Sequence, residues 1–282
     1  MQLGIHAYAW CSEWSNKTLD ILDTAKKEDL DFLEIPLMKL EDFDSKAVLK
    51  RKNEVGIDVV TSNVILAAEQ DITSKVPEYR SNGIRYLKQC VDATAAVESD
   101  SFSGVLYSQY CKPATLPPTS DDWKWSAESL HEVGIYAKQF GITIGLEPVT
   151  RYESNLLNTC EQAINLLDMI GLENVKVHLD TYHMNVEEKD FYQATKLARG
   201  RLCHYHFCEN DRGIPGSGHV DWEGVFRALK ENDYHGRVGM EGFSDITDNM
   251  STWVWRKLAP SGDVFLHEGI KFIRSMIKKY DL

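Results

Sequence analysis

One unit recurs along this chain. A short apolar or β-branched run is followed by a stretch with apolar residues at steps of three and four, and the pair is repeated through eight units of roughly thirty residues. Strands that alternate with helices must run parallel, because each helix carries the chain back to the starting edge. Eight such units predict a (β/α)8 TIM barrel as a single domain over residues 1–282. A doubly wound open sheet is the second architecture, and it fits less well because no GxGxxG turn follows the first strand.

The expected strands are Met1–Ala7, Asp31–Leu37 (ending near Glu34), Ile57–Ile65, Ser103–Tyr107, runs reaching Glu147, Asp180 and His206, and Arg237–Glu241. Helices are expected from about Asn16, over Ala47–Val55 with Gly56 as the stop, and over Glu78–Val97 and Asp121–Phe140. Four more follow near 159–170, 190–198, 222–232 and 263–279.

Charge and composition narrow the function. A formal net charge of -12 argues against nucleic acid, which calls for basic stripes, and against a membrane surface. With 43% hydrophobic residues the chain can bury a large core, yet no run is long enough to span a bilayer. The first ten residues do not read as a leader, so a cytoplasmic protein is expected. The six cysteines form no CxxC pair, and reduced thiols are expected.

Chemistry collects at the strand ends. Glu147, Asp180, His206 and Glu241 close four consecutive expected strands, so in a barrel they converge at one mouth. Three carboxylates and one imidazole suit a hard divalent cation such as Mn²⁺, Mg²⁺ or Co²⁺ better than a structural zinc, which would prefer thiolates. Cys203 and Cys208 flank His206 and read as packing. Glu147 and Glu241 come from non-adjacent strands, so one could remove a proton from a polarised substrate and the other return it on the opposite face. His183 and Arg212 could stabilise an enediolate there; alternatively His183 caps the next helix and Arg212 pairs with a surface acid. Glu153 either bonds a sugar hydroxyl or sits in a solvated loop. Trp10, Trp14, Tyr110, Phe243, Trp253 and Trp255 fall in loops after strands, where aromatic faces either stack on sugars or plug the core.

At these residues the sequence resembles a known family. GLEPVTRYESNLLNT, VKVHLDTYHMNVEE, HYHFCENDRGIPGSGHVDW, GMEGF and VWRKL are similar to the ketose 3-epimerases, which include the D-tagatose, D-psicose (D-allulose) and L-ribulose enzymes. The likeness runs from GIHAYAWCSEW to the final helix. It implies a barrel with one divalent cation per subunit, Mn²⁺ foremost and Co²⁺ or Mg²⁺ otherwise, a small ketose as substrate, and a homodimer or homotetramer. It makes Glu147, Asp180, His206 and Glu241 the metal ligands, and Glu147 and Glu241 the acid/base pair at C3 through a cis-enediolate. Glu153, His183 and Arg212 would fix O1 and O2, and His6, Trp14, Ser62, Tyr110 and Phe243 would complete the substrate contacts. His6 stands where the family usually has an aromatic, Ser62 where a small residue is common, Tyr110 where Trp is frequent, and Gly242 where Pro is usual. These departures bear on the pocket wall rather than on the metal ligands.

Three other activities compete with this reading. An aldose–ketose or hydroxypyruvate-type isomerase would share the metal and move the proton between C1 and C2. An apurinic-site endonuclease would need a His-rich multi-metal cluster and a basic face, whereas most of the nine histidines are expected away from the strand ends. A non-catalytic sugar-binding protein would tolerate loss of either glutamate.

Overall fold

The computed structural model describes residues 1–112, 116–243 and 254–282. Its strands are β1 (Gln2–His6), β2 (Phe32–Pro36), β3 (Asp58–Ile65), β4 (Ser101–Gln109), β5 (Thr143–Leu146), β6 (Val175–Asp180), β7 (Leu202–Phe207) and β8 (Arg237–Met240). They form one closed parallel barrel in sequence order, and β8 returns to β1 through pairs from Gln2↔Arg237 to Ile5↔Met240. Closure rules out the open doubly wound sheet.

The helices are α1 (Ile21–Lys27), α2 (Ser45–Val55), α3 (Pro77–Ala96), α4 (Ser120–Lys138), α5 (Cys160–Ile170), α6 (Thr181–Glu187), α7 (Phe191–Leu197), α8 (Trp222–Glu231) and α9 (Gly262–Tyr280). Their ends follow local chemistry. Thr119 and Thr159 form capping boxes with Asp122 and Gln162, and α2 stops at Gly56 in the left-handed conformation (φ 72°) that costs glycine least. No helix among the described residues is long and apolar enough to cross a membrane.

Three elements depart from expectation. β2 continues past Glu34 to Pro36, so this acid lies within a fully buried strand and not at its end. β4 runs over Ser101–Gln109, longer than Ser103–Tyr107, because the buried serines Ser101, Ser103 and Ser108 dilute its apolar signal. The short helix α6 was not expected, since seven residues carry too little periodicity; it starts directly at β6 because Asp180 caps it.

The period of two along a strand sets what fills the barrel. Gly145 and Glu147, His178 and Asp180, His204 and His206, and Gly239 and Glu241 each form a lower and an upper inward position on one strand. The lower glycines make room for imidazoles. A Cβ at Gly145 would fall 3.3 Å from that of His178 and 2.8 Å from that of Ser103, and one at Gly239 would fall 3.3 Å from the His204 ring.

Candidate active site

His206 Nδ1 lies 3.7 Å from Glu147 Oε1, 3.8 Å from Asp180 Oδ2 and 3.8 Å from Glu241 Oε1. These four side chains come from the carboxyl ends of β5 to β8, as the closed barrel requires. His206 Nδ1 and Asp180 Oδ2 are buried and take no hydrogen bond from the described residues. Leaving two such atoms empty-handed is costly unless something sits between them. Donors about 2.1 Å from one ion can be up to about 4.2 Å apart, so the 3.7 to 3.8 Å spacing is compatible with a shared cation. Glu147, Asp180 and His206 thus form a buried group that could hold a divalent metal.

The hydrogen bonds around this group decide which atoms are free. His206 Nε2 meets Glu34 Oε2 at 2.9 Å, and because a carboxylate only accepts, Nε2 carries a proton and the neutral ring presents its lone pair at Nδ1. Asp180 divides its oxygens: Oδ1 accepts from Tyr182 N at 2.6 Å and from the Cys208 thiol at 3.4 Å, and Oδ2 faces the site.

Electrostatics push the metal-free groups apart. Burial raises the Glu147 carboxyl to about 8. Burial also pulls the His206 imidazole down, but the Glu34 carboxylate overrides it and lifts that group to about 9. Asp180 is pushed up by burial, and the charges of His183, Arg212 and His206 outweigh this and hold it below the usual carboxylate range.

Arg212 closes the site from the loop after β7. Its Nη1 contacts Glu241 Oε2 and lies 3.5 Å from Asp180 Oδ2, and its Nη2 is 2.9 Å from His183 Nε2. The guanidinium lies over the rings of Tyr182 (4.3 Å) and Phe243 (5.0 Å), which help to hold it. His183 is met by a donor on each nitrogen, Arg212 Nη2 at Nε2 and Thr150 N, which donates to Nδ1 at 3.1 Å, and Glu153 Oε2 lies 3.2 Å from Nδ1. Glu153 is buried, not solvated, and accepts from Thr150 Oγ1 and from the Tyr110 hydroxyl. Arg212 is likewise inside the barrel mouth and pairs with site carboxylates, not with a surface acid. His183 lies in the first turn of α6, whose cap is Asp180.

On the opposite wall a neutral His6 stands 3.8 Å from Glu34. His6 Nδ1 accepts from Tyr8 N, so Nε2 holds the proton and donates to Ser62 Oγ at 3.1 Å, and burial drives this imidazole down to about 3. The site residues His6, Ser62, Tyr110, Glu147, His183, His206, Arg212, Glu241 and Phe243 line one cleft of about 630 Å³, open solvent at its mouth included.

Other expected residues fall elsewhere. Trp14 is not brought to this cleft; it is buried in the core that joins barrel and helices. Trp10 ties its indole to Asp263 of α9, and Trp253 lies outside the described residues. Gly242 abuts a ring, since a Cβ there would fall 2.4 Å from Phe265 Cζ. Cys203 and Cys208 are free thiols, as are the other four.

Most of the nine histidines do lie away from the strand ends, yet the site is richer in imidazole than that suggests: His178, His204 and His206 pack together within the barrel, and His6 and His183 line the cleft. Strand alternation places His178 and His204 directly below Asp180 and His206, which was readable from HLD and HYH. Glu34 was also missed. An acid inside FLEIP, with every residue buried, signals a buried partner, and here the partners are His204 and His206.

A closed parallel barrel with convergent acids, an imidazole and an arginine in a cleft at the carboxyl ends of its strands is the architecture of a barrel enzyme. Residues 22–275 match the model of the xylose isomerase-like TIM barrel family. An L-ribulose 3-epimerase of Mesorhizobium japonicum is 32% identical over 262 residues, covering 91% of this chain and 88% of the relative. A ketose 3-epimerase of Arthrobacter globiformis is 30% identical over 285 residues, covering 98% and 97%. The crystal structure of a Methylomonas sp. D-allulose 3-epimerase in complex with D-allulose superposes with a TM-score of 0.93 at 31% identity, covering 98% of this chain and 97% of that one. The chain belongs to the xylose isomerase-like TIM barrel family and, within it, to the ketose 3-epimerases, enzymes of the isomerase class.

Proposed function

We propose that this protein epimerises free ketoses at C3, as in the pairs D-tagatose/D-sorbose, D-fructose/D-psicose and L-ribulose/L-xylulose, through a cis-enediolate. The observation that carries this reading is the pair of carboxylates Glu147 Oε1 and Glu241 Oε1, 3.7 and 3.8 Å from the same His206 nitrogen and carried on strands β5 and β8, which are not neighbours. Two acids that approach one carbon from different sides can exchange its proton with inversion.

Glu147, Asp180, His206 and Glu241 would hold one divalent cation per subunit, Mn²⁺ foremost and Co²⁺ or Mg²⁺ otherwise. When bound, the cation supplies Lewis acidity towards the ketose carbonyl and the adjacent hydroxyl. The chain does the rest. One glutamate takes the C3 proton, and the other delivers a proton to the opposite face. Arg212 and His183, the latter held between Thr150, Glu153 and Arg212, orient O1 and O2, and the guanidinium balances the negative charge of the enediolate. His6, Ser62, Tyr110 and Phe243 wall the remaining carbons. A cytoplasmic setting and a homodimeric or homotetrameric assembly belong to the same proposal, supported by family membership and by six free cysteines.

The test is incubation of metal-stripped enzyme with D-fructose, D-tagatose and L-ribulose in D₂O, with and without Mn²⁺. Metal-dependent formation of the C3 epimer with deuterium at C3 is expected. Label at C1 or C2 with aldose formation would move the protein to the aldose–ketose isomerases.

A further inference from the structure

Glu34 is fully buried on β2, across the barrel from the strands that carry the site. Its Oε2 receives two imidazoles at once, His204 Nε2 at 2.8 Å and His206 Nε2 at 2.9 Å. Nothing in the catalytic proposal uses it. We propose that Glu34 is the positioning residue of the metal centre: by accepting from Nε2 it fixes the one proton of the neutral, metal-binding His206 ring on that nitrogen and leaves Nδ1 as the one aimed at Glu147, Asp180 and Glu241. The inference rests on the metal reading above.

The argument is one of proton bookkeeping. A neutral imidazole carries one proton, and it resides where an acceptor is best placed. His206 has acceptors on both sides: Glu34 Oε2 at 2.9 Å from Nε2, and three carboxylate oxygens at 3.7 to 3.8 Å from Nδ1. Only the first lies at hydrogen-bonding distance, so the Nε2–H form prevails. Without Glu34 the three site carboxylates would draw the proton to Nδ1, where it would block the position a cation must take.

His204 serves as a brace. It shares Glu34 Oε2 and its ring packs edge-on against His206 with centroids 4.9 Å apart, and His178 packs edge-on against both rings, at 4.2 Å from His206 and 4.6 Å from His204. Gly239 leaves the space both rings occupy, since a Cβ there would lie 3.3 Å from the His204 ring and 3.5 Å from His206 Cδ2. The His206 ring is thereby held in orientation by packing and in tautomer by Glu34. Carboxylates that receive the outer N–H of a metal-bound histidine commonly change metal affinity by about 10- to 100-fold.

Mn²⁺ affinity of the metal-stripped protein, measured calorimetrically for wild type, Glu34→Ala and Glu34→Gln, tests this. The alanine variant is expected to bind Mn²⁺ about 10- to 100-fold more weakly. Glutamine, whose oxygen can still accept from both imidazoles, is expected to recover most of that loss. A structural role alone would lower the metal-free melting temperature of Glu34→Ala and leave the affinity of its folded fraction unchanged, and that result overturns the inference. Should Glu34→Ala fail to fold, the imidazole ¹⁵N spectrum of the Mg²⁺-loaded wild type decides: a hydrogen-bonded Nε2–H on His206 supports the assignment, and a ring ligated through Nε2 overturns it. Wild type that binds none of Mn²⁺, Co²⁺ or Mg²⁺ removes the metal reading itself, a failure separate from equal binding by wild type and variant.

Discussion

Asp180 Oδ2 and His206 Nδ1 face each other across 3.8 Å of buried space, and neither takes a hydrogen bond from the described residues. Once His206 is neutral these are two facing acceptors that only a cation can join. Mn²⁺ is therefore expected to raise the melting temperature, and a chelator to lower it. At a free concentration 100 times the dissociation constant the gain is about 2.7 kcal/mol. Asp180→Ala should abolish most of that difference while keeping the folded barrel, although it also removes the cap of α6. A melting temperature indifferent to Mn²⁺ in the wild type would sink the metal site.

The metal-free enzyme should also show a pH signature. Burial lifts Glu147 from 4.5 to about 8, and Glu34 lifts His206 from 6.5 to about 9 against burial, so the folded chain retains protons that the unfolded chain has released. Stability from raised groups is fully present below the unfolded values and is lost as pH rises through the folded ones. His6, His178, His183 and His204 are shifted down and act oppositely, but only at and below about pH 6.5, where unfolded histidine gains its charge. Between about pH 6.5 and about 8.5 the metal-free melting temperature should therefore fall, while Mn²⁺ affinity rises because the ligands shed their protons on binding. Calorimetric scans across that window, with and without Mn²⁺, check both slopes; parallel curves would contradict the ligand assignment.

How much of this was legible depends on where each residue sits on its strand. GLE, HLD, HYH and GME put a chemically loaded residue at the end of an apolar run, and the barrel brings those ends together. His204 carries the same signal one layer lower, but there an imidazole looks like packing until its partner is known. That partner, Glu34, is distant in sequence, and only the closed barrel lets a β2 side chain meet a β7 side chain across the interior, at 2.8 Å. Trp14 shows the opposite limit: an aromatic in a loop after a strand reads alike whether it faces a sugar or the core, and here it is buried in the core. The short helix α6 was hidden because its cap, Asp180, already had a role in the site.

Glu147 and Glu241 are expected to be separable by isotope exchange. Either Glu→Gln change should reduce epimerisation by at least about 100-fold, the usual scale for a positioned acid or base. If each glutamate serves one face, Glu241→Gln should still exchange the C3 proton of one epimer with D₂O while failing to convert it, and Glu147→Gln should do the same for the other epimer. Metal content must be matched, because both residues face the same His206 nitrogen. Exchange from both epimers in one single variant would mean that one base serves both faces.

The last prediction concerns the loop that delivers Arg212. Glu209 is fully buried, and its carboxylate accepts from Asn210 N (3.2 Å), Gly216 N (2.8 Å), Val220 N (3.3 Å) and Trp222 Nε1 (2.7 Å). The loop is wound around this one side chain, and Gly218 must be glycine because a Cβ there would fall 2.4 Å from Glu209 Oε2. Within the turn Arg212 holds a left-handed backbone (φ 67°), a conformation a bulky residue adopts only when its surroundings impose it. Glu209→Ala would strand four donors and is expected to cost on the order of 3–5 kcal/mol in urea unfolding, the scale for removing one partner of a buried charged network. Glu209→Gln keeps the volume but turns an amide N–H towards donors. It should fold, with Arg212 released from Glu241 and His183, so KM for the ketose rises before kcat falls. An unchanged KM in Glu209→Gln would show that Arg212 keeps its place without this anchor.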